Sequence, residues 1–476
     1  MSNELRNFLA LSYDELEERN LHAKEQRKKR VAAHKIQEER LQYLTDEKRI
    51  KAVTVLFSDL EGRLHMLDYD KKFLIKSWDN LTFDGSSIRG FTAQRESDLR
   101  LHMDWSAFYW GPADVFGPGK VLIFGDVIDK GGEPYSADIR GLLKKFADDM
   151  HKKDGYTLNA ANEIEGFLFN GPDAERRYHE TGKFDYVNTG GYYHSLPGDP
   201  LRSFIDTTAE VQRSMGFQNE KDHPEVAPSQ FEINYGYGEV VAAADQIQLY
   251  KLICRQVATK MGFTASFLPK PVVGVNGSGM HTNVSVSKEG KNLFWDAKGE
   301  EKLSKMGWAF VDRILTHGND ICLLLNPSVN AYRRLDPHFE APNQLKASAV
   351  DRGSMIRIPI GNEKSMRVEV RSVAPDANAY MVMYSIFKTG LQGETAKIKN
   401  LRQAERYLPD NIYTAIDNFR KADWTTQLFG ADVKGRYADL KQASADRCPR
   451  LLGTFVKAPE VQYHHDVYNQ FLWNLF

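Results

Sequence analysis

Residues Asn162–Phe169 read NEIEGFLF. The apolar and aromatic run predicts a buried strand, yet it carries two glutamates one residue apart. Side chains alternate along a strand. Glu163 and Glu165 therefore share one face, and Ile164 and Leu168 take the other with Gly166. Two bare carboxylates about 6.5 Å apart repel by about 2–3 kcal/mol at an effective dielectric near 20. Burial adds a desolvation cost to each. The segment predicts something positive in front of that face.

Three further segments repeat the pattern. SQFEINYG puts Gln230, Glu232 and Asn234 on one face, backed by Phe231, Ile233 and Tyr235. SMRVEVRS puts Arg367, Glu369 and Arg371 opposite Val368 and Val370, and GMHTNVSV groups His281, Asn283 and Ser285. Any one of these alone reads as an ordinary half-buried sheet. Together, faces rich in Glu, Arg and His suit a charged cavity better than a wet exterior. Carboxylates with one histidine and no cysteine favour Mg²⁺ or Mn²⁺ over zinc. Arginines on the same faces suit a bidentate grip of carboxylate or phosphate. The combination points to phosphoryl transfer from a nucleotide. No GxxxxGK[ST] loop is present, and VNGSGMH lacks the third glycine of a dinucleotide fingerprint.

The rest of the chain bounds this reading. Its 476 residues, with Lys+Arg 63 against Asp+Glu 64, give a net charge of −1 and no global attraction to nucleic acid or anionic membrane. A 42% hydrophobic fraction and a mean hydropathy of −0.50 predict a soluble globular protein. Cys254, Cys322 and Cys448 are far apart and odd in number, which predicts a reducing compartment and no disulfide or zinc framework. No apolar run reaches membrane-span length and no signal-peptide pattern opens the chain, so the expected location is cytoplasmic. The first 45 residues or so, rich in helix formers and sparse in apolar positions, predict one long, mostly solvated helix. AVTVLFSDLEGRLHMLDY then predicts a hairpin turned at Glu61-Gly62. Strand-like and helical stretches alternate beyond Gly141. The expectation is a small β-rich domain to about residue 140 and a larger α+β domain after it.

The ordered stretches FDGSSIRGF, ESDL, NEIEGFLF, GGYY, HPEVAPSQFEI, FLPKPVVGVNGSGMH, NPSVNAYRRLDPHFEAP, RGSMIRIP and RVEVRSVAPDANAY resemble type I glutamine synthetase over almost all of residues 46–476. The resemblance implies an α+β fold: a helical extension over 1–45, a β-grasp-like domain over 46–140, and a catalytic domain over 141–476 with a curved antiparallel sheet flanked by helices. It implies ligation of ammonia to the γ-carboxylate of glutamate with ATP as co-substrate, two or three Mg²⁺ or Mn²⁺ per site, and a dodecamer with sites shared between subunits. One metal would be held by Glu165, Glu225 and Glu232, and another by Glu163, His281 and Glu369. Arg334 and Arg371 would hold the glutamate carboxylates, and Asn276 and Gly277 its amino end. Arg352 and Arg357 would neutralise the transferring phosphate, and Tyr192, Ser285, Lys364 and Arg367 would contact ATP. Asp84 and Ser87, with Glu340, would form the ammonium pocket, and Asp84 and Glu340 would serve its deprotonation.

Several positions depart from the family pattern. The usual HHE is His223-Pro224-Glu225, NPY is Asn378-Ala379-Tyr380, and an aromatic position is Gly166. Only IKNLRQAERY separates TGLQGETAK from LPDNI, so regulation by adenylylation is not expected and Tyr407 is not read as a modified tyrosine. A ligase for a polyamine, methylamine or ethanolamine stays open as an alternative, as does a catalytically silent family member.

Overall fold

The computed structural model describes residues 7–92, 97–194, 196–336 and 341–452. The predicted hairpin forms from strands Ala52–Ser58 and Leu64–Asp70. Ala52–Ser58 is buried along its length because it lies inside a five-stranded sheet, parallel to Lys120–Ile128 on its other side. Asp98–Tyr109 and Leu81–Asp84 complete that sheet. This is the β-grasp arrangement.

The larger sheet is ten-stranded and is organised on the 15-residue strand Tyr156–Asn170, which contains NEIEGFLF. Met280–Lys288 pairs antiparallel along its first part, and Gln230–Tyr235 and Phe263–Ser266 pair with its second. Val368–Val370 then pairs with Met280–Lys288, and Ser354–Arg357 with Val368–Val370. At the opposite side Asn219–Pro224 pairs with Gln230–Tyr235. Ile164, Ile233, Met280, Val284, Val368 and Val370 are all fully buried on the face away from the glutamates. That face packs on helices including Ile139–Asp154 and Val240–Lys260. Tyr250 in the latter donates to the Ile164 carbonyl at 2.9 Å. Glycine at 166 has a steric reason: a Cβ there would lie 2.7 Å from Phe231 and 3.0 Å from Phe267, which already fill the space.

The amino-terminal region differs from its expectation. It forms two helices, Tyr13–Lys28 and Ala33–Asp46, broken where Arg30 adopts φ 50°. They are docked rather than solvated: Leu16, Asn20 and Ala23 on the first and Ile36, Arg40 and Leu44 on the second are buried. Asn20 donates to the carbonyls of Trp110 and Ser214 at 2.8 and 2.9 Å, and accepts from the Trp110 amide at 3.0 Å. One side chain thus fastens the hairpin to the five-stranded sheet and to helix Pro200–Ser214. Few buried positions at helical spacing suffice when hydrogen bonds supplement them.

Candidate functional site

Strand register assembles the predicted polar faces into one surface. Glu163 lies opposite His281, and Glu165 opposite Glu232, which in turn lies opposite His223. Glu369 lies opposite Asn283 on one side and Arg357 on the other. Because opposed residues in a ladder point to the same face, strand pairing alone brings these groups together. Glu225 arrives from the turn that follows Asn219–Pro224.

The hydrogen bonds divide this surface into two electrostatic halves. In the first, Glu369 is fully buried and accepts from both Arg357 and Arg371 at 2.7 Å. Asn283 donates to Glu163 at 3.0 Å and accepts from Arg367 at 2.9 Å. In the second, Glu165 accepts from the Gly279 amide at 2.8 Å and stands 3.4 Å from His281 Nε2. Glu232 accepts from Asn234 at 2.6 Å. His223 is 3.6 Å from Glu225 through Nδ1 and 3.7 Å from Glu232 through Nε2. The ligating atoms of His223, Glu225 and Glu232 lie within 4.8 Å of one another. Among the described residues no lysine or arginine lies within 4 Å of Glu225 or Glu232.

The consequence shows in proton affinities. Burial, then the charges of Glu165, Glu163 and Glu225, raise the Glu232 carboxyl well above its ordinary value. Burial and the Glu165 charge push Glu225 up to about 7. Burial would raise Glu165 too, but His281, Arg334 and the Gly279 amide outweigh it and hold it low. Burial also lowers His223. Two carboxylates driven toward neutrality by burial and by the Glu165 charge, with no lysine or arginine within 4 Å among the described residues, are suited to a divalent cation. Oxygen donors with an imidazole fit Mg²⁺ or Mn²⁺.

The other expected residues fall in several places. Arg334, at the end of helix Val329–Arg334, is buried and donates to the carbonyls of Val373 and Arg371, both at 3.1 Å. Burial brings its guanidinium down to about 10. Asn276 and Gly277 lie in the loop beside it, and a Cβ on Gly277 would come 3.1 Å from Arg334 Cγ. Ser285 sits farther along the His281 strand. Tyr192 hydrogen-bonds Tyr193 at 2.7 Å, and the Tyr193 ring meets His223 edge-on at 4.7 Å. Arg352 and Lys364 are exposed on loops beside Ser354–Arg357 and Val368–Val370. Asp84 and Ser87 belong to the other sheet's end, where Asp84 accepts from Ser86 and Ser87 and is held below its ordinary value by the Ser86 bonds. Neither is hydrogen-bonded to the acidic strands. Glu340 lies outside the described residues.

His223 and Asn283 stand among these groups, though sequence reasoning assigned neither of them a role. Asn283 stood on a predicted polar face without a role. His223 was visible only as part of HPE, because its strand, NEKDHP, has no apolar alternation to mark it. Its pairing opposite Glu232 supplies the missing signal.

A β-grasp domain ahead of a large sheet with this acidic face defines a class of two-domain chain. Residues 49–130 match the family model for the β-grasp domain of glutamine synthetase, and residues 136–452 match that for its catalytic domain. The chain belongs to the glutamine synthetase family. It is 34% identical over 424 residues to the glutamine synthetase of Clostridium saccharobutylicum, covering 85% of this chain and 94% of that one. It is 35% identical to the glutamine synthetase of Methanosarcina mazei over 424 residues, covering 84% and 92% respectively. In fold it matches a cryo-EM structure of Plasmodium falciparum glutamine synthetase with a TM-score of 0.77 at 22% identity, over 90% of this chain and 98% of that one. Among the described residues no helix is long and apolar enough to cross a membrane.

Proposed function

We propose that this protein ligates ammonia to the γ-carboxylate of L-glutamate, using ATP and passing through γ-glutamyl phosphate to glutamine, ADP and phosphate. The observation that carries the reading is the convergence of Glu163, Glu165, Glu232, His281 and Glu369 from separate strands onto one face, with Glu225 beside Glu232. These residues, with His223, would hold two or three Mg²⁺ or Mn²⁺ ions. When bound, such ions neutralise charge on a transferring phosphoryl group.

This chain's own groups account for the rest. A γ-carboxylate is a poor acyl donor because its leaving group would be oxide, and phosphorylation removes that obstacle. Arg352 and Arg357 would face the transferred group, and electrostatic stabilisation by preorganised cations dominates such chemistry. Arg334 and Arg371 would orient the glutamate carboxylates, with Asn276 and Gly277 at the amine. Tyr192, Ser285, Lys364 and Arg367 would contact ATP. Ammonium cannot attack until it loses a proton, and Asp84, Ser87 and Glu340 would bind the cation and Asp84 or Glu340 accept that proton.

Asp84 and Ser87 lie outside the acidic face of their own chain. The reading therefore goes with a homo-oligomer, a dodecamer of two stacked six-membered rings, in which they complete a neighbour's site. It also goes with a cytoplasmic location and with units over 1–45, 46–140 and 141–476. The test measures ADP release with glutamate plus ammonium against glutamate plus methylamine, ethanolamine or polyamines. Fastest turnover with ammonium is expected; faster turnover with an amine would move the assignment to a γ-glutamylamine ligase.

A further inference from the structure

The short helix Val329–Arg334 connects two parts of the proposed glutamate site through a residue with no role assigned above. Asn330 is 1% exposed. Its Oδ1 accepts the Lys270 amide at 2.6 Å while its Nδ2 donates to the Lys270 carbonyl at 2.9 Å. Both backbone polar groups of Lys270 are thus met by one side chain, as a neighbouring strand would meet them.

Lys270 opens the loop that carries Asn276 and Gly277. The loop closes on itself: the Ser278 amide donates to the Pro269 carbonyl at 2.7 Å, and the Lys270 ammonium bonds the Val275 carbonyl. It is also pressed against Arg334, four residues along the same helix as Asn330. A Cβ on Gly279 would lie 2.5 Å from Arg334 Nη2. Arg334 keeps its own anchors on the carbonyls of Val373 and Arg371, independent of Asn330. Loop and arginine are therefore held by separate bonds from one helix.

We infer that Asn330 is a positioning residue that sets the distance between the loop receiving the substrate's α-amino group and the arginine receiving a carboxylate. The inference rests on the proposed glutamate site. It makes Asn330 a determinant of selectivity for α-amino dicarboxylates over plain dicarboxylates, because its loss would free the loop while leaving Arg334 in place.

The experiment uses the full chain with MgATP and ammonium, and compares KM for glutamate with the inhibition constant of glutarate, which lacks the amine. Wild type, Asn330→Ala and Asn330→Asp are measured. The control is Ser328→Ala, which removes the cap of the same helix but does not touch the loop. Asn330→Ala should raise KM for glutamate about tenfold, a 1.4 kcal/mol change, with glutarate inhibition and KM for ATP within about twofold. Asn330→Asp keeps an acceptor for the Lys270 amide but sets an oxygen against the Lys270 carbonyl, so it should shift the same ratio in the same direction; it carries the test if the alanine variant does not fold. Ser328→Ala should lower thermal stability without changing the glutamate-to-glutarate ratio. An unchanged ratio in both Asn330 variants, or an equal change in Ser328→Ala, overturns the inference while glutamate-dependent turnover by the wild type still stands. Absence of that turnover overturns the proposed function, and this inference with it.

Discussion

Two buried charge clusters in this chain follow opposite rules. At the junction of the amino-terminal hairpin, the five-stranded sheet and the helices behind the larger sheet, Arg140 bonds both oxygens of Asp245 at 2.8 Å and Asp104 at 3.0 Å, and also bonds Asp126. Lys144 reaches Asp104 at 3.0 Å and Asp126 at 2.8 Å. Arg27 lies 3.4 Å from Asp245, and Tyr380 donates to the same carboxylate at 2.9 Å. Three cations meet three carboxylates. Burial would raise Asp104, but Lys144, Arg140 and Arg27 overcome it and hold it well below its ordinary value. On the acidic face, Glu225 and Glu232 go the other way, upward, and among the described residues no lysine or arginine lies within 4 Å of either. Around Arg140 the charges are matched within the cluster, while the unmatched carboxylates Glu225 and Glu232 mark where a ligand is required.

The largest effect that would test this contrast is on the unmatched side. Glu232→Gln keeps the volume and removes one charge. If the acidic face holds divalent cations, turnover should fall about 1,000-fold or more, because metal-assisted charge stabilisation is worth several kcal/mol. Mg²⁺ binding by isothermal titration should weaken in parallel. The metal-free variant should be no less stable than the metal-free wild type in thermal scans, since it relieves repulsion. Full activity, or a destabilised apo form, would show that Glu232 is not an unmatched charge awaiting a cation.

On the matched side the same logic predicts loss of stability rather than of chemistry. Arg140→Met would leave three buried aspartates short of their shared partner. Removing one member of a buried ionic network costs about 3–5 kcal/mol. Chemical denaturation should register that loss even with MgATP present. A variant as stable as wild type would show that Lys144 and Arg27 suffice.

The two clusters also differed in how readable they were. Alternation within NEIEGFLF, SQFEINYG, GMHTNVSV and SMRVEVRS exposed the acidic face, because a strand's period assigns every side chain to a side. The ladder then needed only pairing to merge four faces into one. Arg140, Asp104, Asp126 and Asp245 come from a helix start, two strands and another helix, with no local period to link them. His223 escaped for a related reason: its polar strand carries no alternation, and its place depends on a pairing with a register shift between Asn219 and Lys221. The amino-terminal hairpin escaped because a docked helix with three buried residues looks solvated by composition.

That hairpin supplies a smaller test. Asn20→Ala would strand the Trp110 amide and two carbonyls in the interior, at a cost of about 1–3 kcal/mol. The loss should appear as faster proteolysis within residues 13–46, with KM for MgATP unchanged. Loss confined to activity would instead tie the extension to the chemistry.

The smallest effect concerns protons. Glu225 has its carboxyl raised from about 4.5 to about 7 in the folded chain. A raised folded value means that this group's stabilising contribution is complete below its unfolded value and is lost as pH rises through 7. Other groups titrate nearby, including Lys251, which burial lowers to about 7 and which therefore acts in the opposite direction. The informative quantity is the difference between metal-free wild type and metal-free Glu225→Gln, which should widen in the variant's favour from pH 5 to pH 8. Metal affinity should follow the same group with reversed sign, because a cation binds the deprotonated carboxylate and expels its proton. With a value near 7, Mg²⁺ binding should tighten by about tenfold between pH 6 and pH 8, and Glu225→Gln should flatten that slope. A slope unchanged by the substitution would place the titrating ligand elsewhere, on Glu232 or His223, and would leave Glu225 as a bystander to the acidic face.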